Sequence, residues 1–191
     1  MQILIFDTET GGVSPEQNDI LQLSYQVIDY ATQRVVKKVN HYFPWPEEKW
    51  RVCRQAIEVN GLTEEFLATK KMSDRYAALE EFFDDMYGCS YLVAHNGDFD
   101  KKFIIAEAKR HRYIIGPNEW KPMIDTMKTT TELCQLPPHP GRTGYKWPKL
   151  IELAECLRIP TDDINLHDSS ADVELTKRCF LYLLEKKFYR L

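Results

Sequence analysis

Near the amino terminus, Ile3-Leu4-Ile5-Phe6 form an unbroken apolar run that passes directly into Asp7-Thr8-Glu9-Thr10-Gly11-Gly12. A short apolar run bounded by glycine reads as a buried strand, here over residues 2–8. Over residues 19–30 the pattern becomes alternation, with Leu21, Leu23, Tyr25 and Val27 set against Gln22, Ser24 and Gln26, and this predicts a second strand. A third follows over 34–43 after a short polar turn. Three strands in succession predict an antiparallel meander.

The period then lengthens. Asn60-Gly61 breaks the chain, Thr63 is placed to cap a short helix, and Ser73 to cap a longer one through Tyr87 that stops at Gly88. Tyr76, Leu79, Phe83 and Met86 recur at three- and four-residue spacing, which predicts a core-facing stripe. Tyr91-Leu92-Val93-Ala94 predicts a short strand, followed by a helix over about 98–112, a short strand at 123–126, and helices over 126–134, 147–157 and about 170–187. Val173, Leu175, Phe180, Leu181 and Leu184 lie on the last. Strands first, then strands alternating with helices, predict an α/β fold with a mixed sheet and helices packed on its faces. Residues 135–147, with Pro137, Pro138, Pro140, Gly141 and Gly144, form the longest irregular stretch, and loops of that length in a compact domain are commonly functional. There is no repeat, low-complexity tract or Ser/Gly linker, so residues 1–191 are expected to form a single domain.

Composition narrows the picture. The 191 residues are 43% hydrophobic and 28% charged, as in a soluble globular protein. No apolar run approaches the roughly 20 residues of a membrane span, and no signal-peptide pattern opens the chain, so a cytoplasmic protein is expected. Five widely spaced cysteines without a CxxC pair fit neither a disulfide framework nor a zinc knuckle. A net charge of −4 does not suit a protein that coats duplex nucleic acid through a basic surface. Bound cations would add local positive potential that such a count misses.

Candidate chemistry lies in three acid-bearing stretches. Asp7 and Glu9, two apart on a strand, share a face, and like charges held side by side call for a proton or a cation between them. An isolated D-x-E is equally satisfied by solvent. In His95-Asn96-Gly97-Asp98-Phe99-Asp100, Asp98 reads as a helix N-cap, and Asp100 complements the helix dipole. In His167-Asp168-Ser169-Ser170-Ala171-Asp172, Asp168 or Ser169 can cap the last helix, with Asp172 about one turn in and His167 on the preceding loop.

Taken in order, these stretches resemble the three exonuclease motifs of the DEDDh branch of the DnaQ-like 3′–5′ exonucleases, and the likeness spans residues 5–176. The resemblance implies a ribonuclease H-like fold: a central mixed sheet starting with three antiparallel strands, with helices on both faces. It implies Asp7, Glu9, Asp100 and Asp172 as ligands of two divalent ions, Mg²⁺ or Mn²⁺, and His167 as general base, the five together forming the catalytic set. Such ions lower the pKa of water and stabilise charge on the attacking and leaving oxygens. Histidine titrates near working pH, which suits it to accept the proton. The expected substrate is a single-stranded 3′ end, DNA favoured, releasing nucleoside 5′-monophosphates; RNA trimming is the alternative, and a catalytically inert nucleic-acid-binding module the more distant one.

Thr10 and Phe99 inside the motifs, and Arg142 and Lys146 on the long loop, are the expected substrate contacts. Tyr145 and Trp147 add aromatic faces to that loop. His95 reads as structural. The first motif departs from the frequent Thr-Thr-Gly by reading Thr10-Gly11-Gly12. A DNA polymerase or repair protein is a possible partner, although the chain ends just after its last helix without an obvious tethering tail, which favours a free-standing enzyme.

Overall fold

A computed structural model of the chain describes residues 1–116, 119–164 and 167–191. Five strands, β1 (Gln2–Thr10), β2 (Ile20–Asp29), β3 (Val35–Tyr42), β4 (Tyr91–Ala94) and β5 (Met123–Asp125), form one sheet in the order β3-β2-β1-β4-β5. The first three pair antiparallel, as the pattern predicts, whereas β1–β4 and β4–β5 are parallel. The helices are α1 (Arg54–Asn60), α2 (Glu64–Ala68), α3 (Arg75–Gly88), α4 (Gly97–Arg110), α5 (Thr126–Thr129), α6 (Thr131–Cys134), α7 (Leu150–Leu157) and α8 (Ser169–Glu185).

Alternation along β1 divides the core between two faces. Leu4 and Phe6 join Leu23, Tyr25 and Val27 of β2 in a cluster with Phe82 and Phe83 of α3 and Phe103 and Ile104 of α4. Ile3, Ile5 and Val93 meet Val173 and Phe180 of α8 on the opposite face. Leu153 and Leu157 of α7 then cover Leu175, Cys179 and Leu183 of α8. Helices therefore lie on both faces of the mixed sheet.

The alternation in β2 has an outcome its polarity did not announce. Gln22, Ser24 and Gln26 are as fully buried as their apolar neighbours, because α8 lies over them. Gln26 Nε2 donates to Glu174 Oε2 at 3.1 Å, so this seam is polar and hydrogen-bonded.

Several local expectations are corrected. Asp74, not Ser73, caps α3 by accepting from Ala77 N at 2.9 Å, while Ser73 Oγ pairs with His41 Nδ1 at 2.8 Å. Tyr76 is 46% exposed, and the buried stripe of α3 consists of Ala78, Leu79, Phe82, Phe83 and Met86. The helix expected over 126–134 is two short helices that meet at Thr130, whose Oγ1 donates to Thr126 O. α7 starts at Leu150 rather than 147, since the residue before Pro148 is held away from helical geometry. A turn of 3-10 helix over Lys49–Arg51 and the seven-residue α1 were not anticipated, because neither buries a periodic apolar face. Among the described residues no helix is long and apolar enough to cross a membrane, and all five cysteines are free.

Candidate active site

Asp7 and Glu9 extend the row begun by Ile3 and Ile5, so the parity that buries those isoleucines against α8 also aims both carboxylates toward the start of that helix. Directional contacts seat α8. Asp168 is its N-cap, accepting from Ser170 N at 2.9 Å, and it also accepts from Gln22 Nε2 and Tyr42 OH, each at 3.2 Å. Ser169 N donates to Gln22 Oε1 at 3.2 Å, and Ser169 Oγ to Ser24 Oγ at 2.6 Å. One turn on, Asp172 faces the strand. His167 precedes the cap with φ +68°, a left-handed conformation that costs a non-glycine residue energy and recurs at functional sites. Glu9, His167 and Asp172 each offer a ligand atom, all within 4.8 Å of one another, and His167 stands exposed at the rim.

Asp100 arrives from α4, in the parallel crossover between β4 and β5. Asn96, also left-handed at φ +69°, is the N-cap residue of α4 and donates its N–H to Asp125 Oδ1 at 3.1 Å. Asp98 does not cap that helix; it lies in the first turn and pairs with Lys128. Asp100 is buried and accepts twice at Oδ1, from Thr8 N at 3.0 Å and Thr8 Oγ1 at 2.7 Å. Thr8 sits between the two acids of β1 and points to the opposite face, toward α4.

Four carboxylates in one place hold their protons unusually well. Burial raises Asp7 well above the ordinary range, and the charges of Asp100, Asp172 and Glu9 raise it further. Burial, then Asp172, lifts Glu9 to about 8, with Asn60 opposing. Asp100 is lifted to about 7 by burial against the pull of the Thr8 hydrogen bonds, and Asp172 to about 6 by burial. Among the described residues, Asp172 Oδ1 is buried without a hydrogen-bond partner. An all-carboxylate oxygen set with an orphaned buried oxygen and mutual repulsion fits a hard divalent cation. Asp7, Glu9, Asp100 and Asp172 are the residues available to hold it.

The carboxylates open into a cleft of about 1140 Å³, lined by Asp7 and Asp172 on one side and by Arg142, Tyr145, Lys146 and Trp147 of the long loop on the other. Lys146 pairs with Glu152. Thr10 Oγ1 donates to Gly12 O at 2.7 Å, and Phe99 packs against Phe103 with ring centroids 4.8 Å apart. His95 bridges Thr126 Oγ1 at 3.0 Å and Pro148 O at 2.9 Å, and burial pushes its pKa down. That placement agrees with a structural role. Gly11 has a steric reason to replace the frequent threonine: a Cβ there would stand 2.4 Å from Arg51 O, while Gly11 O accepts from Cys53 N at 2.7 Å. Asp168, read from sequence as a cap, supports the site together with Thr8, Gln22 and Tyr42, which were not singled out. The strand pairing sets Gln22 opposite Glu9, a register visible only in the fold.

The exonuclease family model RNase_T matches residues 4–180. The chain is 30% identical over 188 residues to the 3′-5′ exonuclease DinG of Bacillus subtilis, a match covering 97% of this chain and 18% of that protein. It is 25% identical over 183 residues to DNA polymerase III subunit epsilon of Buchnera aphidicola, covering 94% of this chain and 71% of the relative. It thus spans under a fifth of the first of these relatives. The fold is that of the nuclease domain of 3′hExo, a DEDDh family member bound to rAMP, with a TM-score of 0.72 at 19% identity, covering 97% of this chain and 92% of that one. With its model matched over residues 4–180, the chain belongs to the RNase_T exonuclease family.

Proposed function

We propose that this chain is a metal-dependent 3′–5′ exonuclease that shortens single-stranded nucleic acid, DNA favoured, releasing nucleoside 5′-monophosphates. The observation that carries this reading is the meeting of Glu9, His167 and Asp172 within 4.8 Å, in the same carboxylate cluster as half-buried Asp7 and buried Asp100, with Asp7 and Asp172 lining an open cleft. Two divalent ions, Mg²⁺ or Mn²⁺, held by Asp7, Glu9, Asp100 and Asp172, would supply the acidification of water and the charge stabilisation that phosphodiester hydrolysis needs. His167, exposed at the rim, takes the proton of the attacking water on its imidazole as the water oxygen bonds to phosphorus and the bond to the upstream 3′ oxygen breaks. Asp172, anchored through the cap of α8, keeps the floor of the cleft in register with Glu9. Thr8 fixes Asp100 by two hydrogen bonds, which immobilise one carboxylate oxygen and leave the other available to a cation. Thr10 and Phe99 border the terminal nucleotide, and Arg142 and Lys146 meet the strand's phosphates.

The DNA preference follows the curated relative that is a DNA polymerase subunit, and a polymerase or repair partner follows the same likeness. An RNA-trimming role is the second reading, favoured by the rAMP bound to the 3′hExo nuclease domain. A single domain in the cytoplasm suits the free thiols.

The test is cleavage of 5′-labelled single-stranded DNA and RNA of matched sequence with Mg²⁺ or Mn²⁺ and with a chelator. A ladder that shortens from the 3′ end only with metal is expected, and the faster substrate assigns the sugar. Cleavage that survives chelation, or internal cuts, would overturn the reading.

A further inference from the structure

The long loop between α6 and α7 is fastened at three points. Lys146 N donates to Leu136 O at 3.0 Å and closes the loop at its base. The Lys146 side chain pairs with Glu152, whose second oxygen accepts from Lys149 N at 2.7 Å. Pro148 O is held at 2.9 Å by His95, the first residue after β4. At the tip, Gly141 and Gly144 turn the chain with φ of +77° and +81°, a region that favours glycine. The loop thus has a defined shape and is tied to the strand that leads into Asp100.

What it displays is unusual for its residue types. Tyr145 is 43% and Trp147 59% exposed, although rings of this size are mostly covered in folded proteins. Among the described residues, neither ring packs on another aromatic ring, and no carboxylate pairs with Arg142. All three line the cleft that Asp7 and Asp172 floor. Two exposed rings and a free guanidinium match a single strand of nucleic acid, in which unpaired bases offer flat faces at intervals set by charged phosphates. A duplex would present its bases already stacked on each other.

We propose that Tyr145 and Trp147 form a stacking platform for the second and third bases from the 3′ end, with Arg142 on the phosphate between them; this rests on the exonuclease reading above. The carboxylate floor acts on the terminal linkage, and the platform holds the strand behind it. Length dependence and preference for unpaired ends then originate in this loop rather than in the metal ligands. His95 is the positioning residue, since it ties the loop to the strand that delivers Asp100.

The experiment has two readouts on the full chain. In the first, fluorescence anisotropy of a 5′-labelled decathymidylate is measured in Ca²⁺, without turnover. Trp147→Ala is expected to weaken binding by roughly 10- to 100-fold, the worth of one base on an aromatic ring, with Trp147→Phe restoring most of it. In the second, kcat/KM in Mg²⁺ is compared for the decamer and for the 4-nitrophenyl ester of thymidine 5′-monophosphate, which has no upstream base. The decamer-to-ester ratio should fall in Trp147→Ala and Tyr145→Ala, chiefly through KM. Unchanged anisotropy in both variants, or equal losses on the two substrates, would overturn the platform. A wild type that binds the decamer but hydrolyses neither substrate would overturn the exonuclease reading, while the anisotropy series would still decide the platform.

Discussion

Thr8 binds Asp100 twice, its backbone N–H and its hydroxyl both donating to the same Oδ1 at 3.0 and 2.7 Å. The threonine wedged between the two acids of β1 thereby fixes the acid of α4, and one strand sets three of the four carboxylates. Both bonds favour the ionised form of Asp100, against burial that lifts it to about 7. Thr8→Val keeps the shape and removes the 2.7 Å bond. We expect a stability loss of about 1–2 kcal/mol. Asp100 should also bind its proton more tightly, so the acid limb of kcat/KM against pH should move upward. A thermal melt and a pH–rate profile of the variant check both.

The raised carboxylates make metal-free stability fall with rising pH. Glu9 is held near 8 in the folded chain, whereas unfolded glutamate titrates near about 4, so the folded state binds more protons across that interval. Its stabilising contribution is full below the lower value and is lost as pH rises toward the upper. In a chelator, Glu9→Gln should melt above wild type, by a margin that widens from pH 5 to pH 9 to roughly 2–6 °C. Added Mg²⁺ should narrow or reverse the difference, because it stabilises only the wild type. An equal margin at both pH values would refute the repulsion.

At the centre of the cluster, Asp7 feels the charges of Asp100, Asp172 and Glu9. Asp7→Asn should abolish turnover more completely than any other single substitution, while raising the melting temperature of the metal-free protein. Calorimetric titration with Mn²⁺ should show weakened binding. Near-normal activity at ordinary Mg²⁺ would remove Asp7 from the metal site.

His167 is best tested as His167→Asn, because asparagine tolerates the left-handed backbone at φ +68° that alanine resists. Since the side chain is exposed, the melt should barely change. If His167 accepts the proton, kcat should drop by roughly 10²–10⁴-fold with oligonucleotide binding in Ca²⁺ retained. An unchanged kcat across the pH range excludes the general-base role.

Much of this arrangement was legible because it follows from parity. Ile3, Ile5, Asp7 and Glu9 share one side of β1, and the side that buries the isoleucines had to bring the acids to whatever covers it. The meander was readable for the same reason, whereas the grouping of Asp100 and Asp172 with these acids was implied only by the resemblance that the three ordered motifs carry. Illegible features depend on partners distant in sequence. Asp98 and Asp168 both look like caps, yet only Asp168 caps, because α4 begins at Gly97 and leaves Asp98 inside its first turn, paired with Lys128. Alternation marked Gln22, Ser24 and Gln26 as a polar face, and nothing local says that such a face will be roofed by a helix more than 140 residues later. α1 escaped because seven residues with no buried side chain give no periodic signal.

The polar seam between β2 and α8 works as a keyed joint. Greasy surfaces tolerate sliding, since one leucine is much like the next, but Gln22 and Ser24, themselves held by Asn40 of β3, bond to the cap of α8, and Gln26 bonds to Glu174. A displacement by one helical turn would break every bond these buried groups make to α8. Redesigning the joint with leucine and valine would tighten the protein against heat while freeing α8 to drift. The side chains most sensitive to that drift are those of His167 and Asp172, set immediately before the cap and one turn after it.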